Sequence, residues 1–389
     1  MLSPTPFSLL CALLLCLPFA IVFTIITPTT ITTTTTINTN SLEPPIIIHE
    51  PTSTIHQNLI NKTTSTPPPP PLPDDDDDRD DKSLLRVASR VKSKPKSPKK
   101  IAFMFLTTTP LPFAPLWELF FNQTKRKHKN LFNIYIHADP KGSYDPPFRG
   151  VFAHRVIPSK RAIRFTPTLA SAARRLLAQA LLHDPSNSMF ALFSPSCIPI
   201  HSFGFVYDTL ANSNYSFIEI LQNEEGTYDR WVVRGHDAML PEVKLEDFRI
   251  GSQFWVLTRR HARIVVSDKR IWAKFNQPCV RWDTCYPEEN YFPTLLHMSD
   301  PRGSVPATLT HVNWTGSFDG HPRMYESAEV GPELIRGIRK LGLRYGDYGN
   351  NGSDVSVRKQ SDPFLFARKF HPNTVQTLLT IARDFIFKD

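Results

Sequence analysis

Two adjacent carboxylates, Glu288 and Glu289, open the second half of the stretch 279–296, C-V-R-W-D-T-C-Y-P-E-E-N-Y-F-P-T-L-L. Pro287 suits the first position of a helix, and acidic side chains in that first turn suit the positive end of the helix dipole. Pro293 has no N–H, so the carbonyl of Glu289 loses its helical donor; this predicts a short, kinked turn that stops near Pro293. A carboxylate aimed by such a turn can take a proton from a hydroxyl group as a general base. Ordinary dipole partners would look the same, and these residues alone leave both readings open. A second carboxylate, Glu219, stands among apolar neighbours in S-F-I-E-I-L. A carboxylate in an apolar strand is costly unless it has donors to bind, such as sugar hydroxyls.

These side chains need a scaffold, and the chain of 389 residues, 41% hydrophobic and 11% aromatic, can bury a full core. Its formal charge of +9 permits anionic partners. Most of the excess lies in a basic segment between Arg86 and Lys100 with no interleaved aromatic residues, so nucleic acid is not an expected partner. Five cysteines, two of them (Cys11 and Cys16) in an apolar run, are too few for a disulfide-built scaffold.

Residues 7–27 carry no charge and would span roughly 30 Å as a helix, which reads as a membrane anchor behind a short cytoplasmic tail at 1–6. A cleaved signal peptide is the competing reading. Residues 28–100 combine a Thr-rich tract, a run of prolines, an acidic run and the basic segment; they predict a disordered stalk because they offer too little apolar surface to offset ordering entropy. Order is expected over 101–389. A continuous apolar run at 101–106 (I-A-F-M-F-L) and a second strand at 132–139 (F-N-I-Y-I-H-A-D) flank an amphipathic segment near 116–121, as in a βαβ unit. Asp139 then falls beyond the carboxyl end of a strand, where ligands of such sheets collect. Thr166-Pro167 caps a helix with Leu169, Ala173, Leu176, Leu177, Ala180 and Leu181 on one face. Strands follow at 189–194, 216–221 and 251–257, the last running into a helix at 258–266. The alternation makes the fold class α/β.

The ordered series Y-I-H-A-D-P, F-A-L-F-S-P-S-C-I-P-I, S-F-I-E, G-S-Q-F-W-V-L-T-R-R-H-A, C-Y-P-E-E-N-Y-F-P-T-L-L and L-F-A-R-K-F resembles the core-2/I-branching family of β-1,6-N-acetylglucosaminyltransferases, in its plant branch of brittle-culm-type proteins. The likeness covers about residues 100–387, and several motifs in order make it specific. It implies a GT-A-like nucleotide-sugar transferase fold, a mixed sheet flanked by helices. It also implies an inverting, metal-independent enzyme in the Golgi membrane with a single span and a lumenal catalytic domain. Such an enzyme would transfer N-acetylglucosamine or glucuronic acid from a UDP-sugar to a glycan or glycoprotein acceptor. A catalytically inactive glycan-binding protein of the same fold remains the alternative.

Residue by residue, Glu289 matches the family's catalytic base, with Glu288 standing where the family usually has Asp. Lys369 in F-A-R-K-F matches its diphosphate-binding lysine, with Arg368 beside it, and Arg323 in H-P-R matches the partner arginine. Cations facing phosphates are the expected device where no Asp-x-Asp motif holds an ion, and the folded part contains none. Asp139 resembles the acid near the donor nucleoside. Glu219 matches the acceptor-binding glutamate, and Trp314 an aromatic packed on the acceptor sugar. In a lumenal compartment Cys279 and Cys285 could close a disulfide loop; a metal pair is the other option, although no His or Cys nearby completes a tetrahedral set. Cys197 is left over. Asn-x-Ser/Thr signals at Asn61, Asn122, Asn214, Asn313 and Asn351 fit lumenal exposure. No cofactor and no metal are expected beyond the UDP-sugar substrate.

Overall fold

The computed structural model describes residues 75–123, 131–317, 321–346 and 362–389, all within one compact unit, Pro67–Asp389. Strand β1, Lys100–Thr107, lies between β2, Phe132–Ala138, and β3, Asn187–Phe193, and pairs with both in parallel. An apolar run without alternation is what burial on both faces requires. Ile101, Phe103 and Phe105 point into one core and Ala102, Met104 and Leu106 into the other.

The sheet continues antiparallel through β6, Val256–Thr258, then β5, Ser216–Phe217, and ends with β7, Ser304–Val305, in the order β2-β1-β3-β6-β5-β7. A second sheet joins β4, Ile198–Pro199, β9, Phe366–Arg368, and β8, Thr310–Val312. The result is a mixed α/β architecture.

One face is covered by helix Ala114–Asn122 and its aromatic cluster. Phe103 packs on Trp117, Phe121 and Phe193 at centroid distances of 6.1, 5.0 and 5.9 Å. The other face is covered by helix Pro167–His183, where the Thr166 hydroxyl accepts from the Thr168 N–H as the cap, and by helix Arg259–Ser267, capped by Thr258. Each of these rings, fully buried, contributes roughly 1.5–3 kcal/mol.

Three expectations change. The stretch 75–100, read as the end of a disordered stalk, carries helix α1, Asp75–Ala88. Ala88 is fully buried, and Leu84, Leu85 and Val91 pack on the core. Asp80 and Asp81 pair with Arg175 and Lys160, the Lys160 contacts at 3.6 and 3.7 Å. Mean composition counted these acids as solvated charge, whereas they meet a nearly buried arginine that needs a counter-charge. Nor does Pro293 end its helix, which runs Pro287–Ser299. The Gly251 N–H donates to the freed Glu289 carbonyl at 2.9 Å, so the proline leaves no orphaned acceptor. The strands expected at 216–221 and 251–257 are also shorter than their apolar runs.

Among the described residues no helix is long and apolar enough to cross a membrane. The expected anchor at 7–27, the stalk to residue 74, Asn61 and Asn351 lie outside the described residues.

Candidate functional site

Beyond the carboxyl ends of β1 and β3 opens a cavity of about 890 Å³, walled by Thr107 and Thr108 on one side and by Ser194 and Ser196 on another. Glu219, Arg230, Glu288, Glu289, Trp314, Arg368 and Lys369 line it together. They come from segments up to 150 residues apart, and the sheet order brings them to one end.

Glu289 and Glu288 are consecutive on one helical turn and so point to different environments. Glu289, about a third exposed, takes a hydrogen bond from Arg230 Nη1 at 2.9 Å. The same guanidinium lies 4.6 Å over the ring of Tyr286, which fixes it from a second side. Glu288 is only 4% exposed and its Oε2 has no hydrogen-bond partner. Burial, and then the neighbouring charge of Glu289, push its carboxyl up to about 8, so it holds its proton near neutrality.

Glu219 is tied to this pair through Gly251. The Gly251 N–H holds the Glu289 carbonyl, and a Cβ at Gly251 would fall 2.0 Å from the Glu219 carbonyl oxygen, so only glycine fits between the two acids. The Glu219 carboxyl accepts from the Ser252 N–H; burial raises its pKa, while Arg344 works the other way. Trp314, 58% exposed, stands at the open side of the cavity.

The positive side is built by Arg368 at the end of β9. Its guanidinium stacks 4.5 Å over Phe254, and its buried Nε has no hydrogen-bond partner. Burial lowers its pKa, and the charge of Glu289 partly offsets that. A desolvated guanidinium with open donors on a cavity wall is suited to an anion such as phosphate. Lys369 follows it on the wall, its carbonyl held by the Tyr325 N–H at 2.7 Å. Cys197 lies nearby as a buried free thiol, raised in pKa by burial.

Two expected donor-side residues are not on the wall. Asp139 is 5% exposed and its two oxygens accept from the Lys141 and Ala162 N–H groups, each at 2.7 Å. It anchors the segment that delivers Arg164 to the cavity. Arg323 is exposed and paired with Glu329, although its neighbours His321 and Pro322 do line the space. Cys279 and Cys285 form a disulfide with Cα atoms 6.1 Å apart. Asn122 and Asn214 are exposed, whereas Asn313 is half-buried, accepting from the Thr315 N–H at 2.9 Å and bonding Tyr325. Among the described residues no three His, Cys, Asp or Glu side chains cluster as metal ligands.

Sequence reasoning missed Arg164, Arg230 and Arg344. Arg230 pairs with an acid 59 positions away, and no local spacing announces such a partner.

The model of the family described as "Core-2/I-Branching enzyme" matches residues 101–339. The chain is 28% identical to Glycosyltransferase BC10 of Oryza sativa subsp. japonica over 303 residues, 70% of this chain and 73% of that protein. A structural likeness to the galactosyltransferase LgtC, solved with donor and acceptor sugar analogues, covers 74% of this chain and 98% of that one, at 7% identity and a TM-score of 0.34. The family match spans more than half of the sequence and takes in Glu219, Arg230 and Glu289, and the chain therefore belongs to the Core-2/I-branching enzyme family of glycosyltransferases.

Proposed function

We propose that the protein transfers a sugar, N-acetylglucosamine or glucuronic acid, from a UDP-sugar to a glycan or glycoprotein acceptor, with inversion and without a metal ion. The observation that carries this reading is that one cavity gathers two carboxylates, Glu219 and Glu289, with two consecutive cations, Arg368 and Lys369. Glu289 takes the proton of the acceptor hydroxyl as that oxygen bonds to the anomeric carbon. The bond from that carbon to the diphosphate breaks in the same displacement, and the charge left on the diphosphate meets Arg368 and Lys369. Glu219 and Trp314 hold the acceptor ring, one by its hydroxyls and the other by its apolar face.

The disulfide, the exposed glycosylation signals at Asn122 and Asn214 and the uncharged run at 7–27 support a Golgi membrane protein with this domain in the lumen. The decisive experiment uses the full chain in detergent with UDP-N-acetylglucosamine or UDP-glucuronic acid and a chelator, measuring donor hydrolysis and transfer to glycans. Turnover that persists with EDTA is expected. Loss of turnover with EDTA and recovery with manganese would overturn the metal-free reading, and UDP binding without any turnover would favour a glycan-binding protein.

A further inference from the structure

Next to the cavity, on the side of Glu289, a row of aromatic rings continues outward onto the surface. Tyr286 lines the cavity, the Phe165 ring meets it edge-on at 5.6 Å, and Trp282 meets Phe165 at 5.6 Å from the far side. Trp282 is 54% exposed at the tip of the loop closed by Cys279 and Cys285. Phe165 and Tyr286 are half-buried, and an exposed tryptophan continuous with two such rings and with a cavity extends the apolar surface that a ligand can cover.

The backbone supports the same conclusion. Phe165 has φ of 64°, a left-handed conformation that a bulky side chain adopts only at a cost in strain. That conformation puts its ring between Trp282 and Tyr286. The disulfide and the bond from the Val280 N–H to the Val233 carbonyl, 2.9 Å, hold the loop in place, so little freedom is lost on binding.

We propose that Tyr286, Phe165 and Trp282 form a stacking shelf for a second sugar ring of the acceptor, so that the enzyme acts on oligosaccharide chains in preference to single sugars. The proposal rests on the reading of the cavity as a sugar-transfer site. A pyranose has an apolar C–H face and a rim of hydroxyls, and the shelf matches both. Its rings are flanked by Arg164, 5.0 Å over Phe165, and by Arg281, which pairs with Asp229 at 3.6 Å and Asp283 at 3.3 Å. The shelf is continuous with the base, because Arg230 contacts both Tyr286 and Glu289. The acceptor's reacting sugar at Glu289 thus has its next ring over Tyr286 and Phe165.

The test is transfer from UDP-N-acetylglucosamine and UDP-glucuronic acid to an array of immobilised single sugars and oligosaccharides of increasing length. Wild type is expected to favour the longer chains, and Trp282→Ala to lose that advantage by roughly two- to tenfold, with UDP affinity unchanged. Trp282→Phe should restore much of it, and Val280→Ala, on the same loop without a ring, should keep it. A wild type indifferent to length, or a Trp282→Ala variant that keeps the preference, overturns the shelf and leaves the transfer reading standing. Absence of transfer to any glycan with any of these proteins overturns the reading of the cavity itself, and the shelf with it.

Discussion

Replacing Glu288 by glutamine should stabilise the protein, and increasingly so as the pH rises. The carboxyl is 4% exposed, lacks a partner at Oε2 and is pushed up to about 8 from its ordinary 4.5. Burial is the larger cause, the charge of Glu289 comes next, and Arg164 and Arg230 oppose them. Arg234, itself pushed down to about 10 by burial, also feels this carboxyl. The folded chain therefore keeps a proton that the unfolded chain releases above its ordinary value. Stability is lost as pH rises from about 4.5 to about 8 and then levels off. The slope is about 1.4 kcal/mol per pH unit, so near pH 7 the loss is about 3 kcal/mol. Glutamine keeps the shape and never ionises, so the variant escapes this loss.

The assay is thermal unfolding of wild type and Glu288→Gln at several pH values. Near pH 5 the two should melt together, and near pH 7 the variant should melt roughly 5–10 °C higher. A gap that does not change with pH, or a wild type that is the more stable at alkaline pH, would refute the argument that this side chain is a buried neutral acid.

Glu289→Gln should lower transfer by roughly 10²–10⁴-fold while UDP binding by calorimetry stays intact; near-normal turnover would remove Glu289 from the role of base. Arg368→Ala and Lys369→Ala should each weaken UDP by about 1.5–3 kcal/mol, the usual worth of a hydrogen bond to a charged group, and unchanged affinity in both would move the diphosphate elsewhere. Gly251→Ala forces a methyl to 2.0 Å from the Glu219 carbonyl; denaturant unfolding should show a loss of at least about 1–3 kcal/mol, and turnover should fall with it.

Much of the frame was legible because its signals are local. The runs at 101–106 and 189–194 are apolar almost throughout and the stretch 132–139 carries an apolar residue at every second position, and each became a strand buried on at least one side. Thr166-Pro167 announced its helix because a cap is chemistry between neighbours in sequence. What was missed depends on partners far along the chain. The acids of α1 look solvated until Arg175, 94 residues later, lies beneath Asp81. Pro293 looks like a stop until Gly251 supplies the donor that the helix cannot. In the site, the resemblance to a family pointed to Glu219, Glu289 and Lys369 together, and all three line one cavity. Asp139 and Arg323, matched the same way, lie off its wall because backbone donors and Glu329 already occupy them.

The adjacent acids divide their work by burial. Two ionised carboxylates on consecutive residues would repel each other and would draw Arg230, Arg164 and Arg368 toward themselves, leaving less positive charge for an incoming diphosphate. With Glu288 buried and protonated, the pair presents one carboxylate, and Arg230 alone answers it at 2.9 Å. The Nε of Arg368 stays without a hydrogen bond, and no hydrogen-bond or ion-pair partner engages Arg164 among the described residues. Aspartate at position 288 would reach less far into the core than glutamate. The longer side chain therefore makes neutrality of the first acid more dependent on burial, and the charge balance of the cavity more sensitive to how tightly the start of this helix packs.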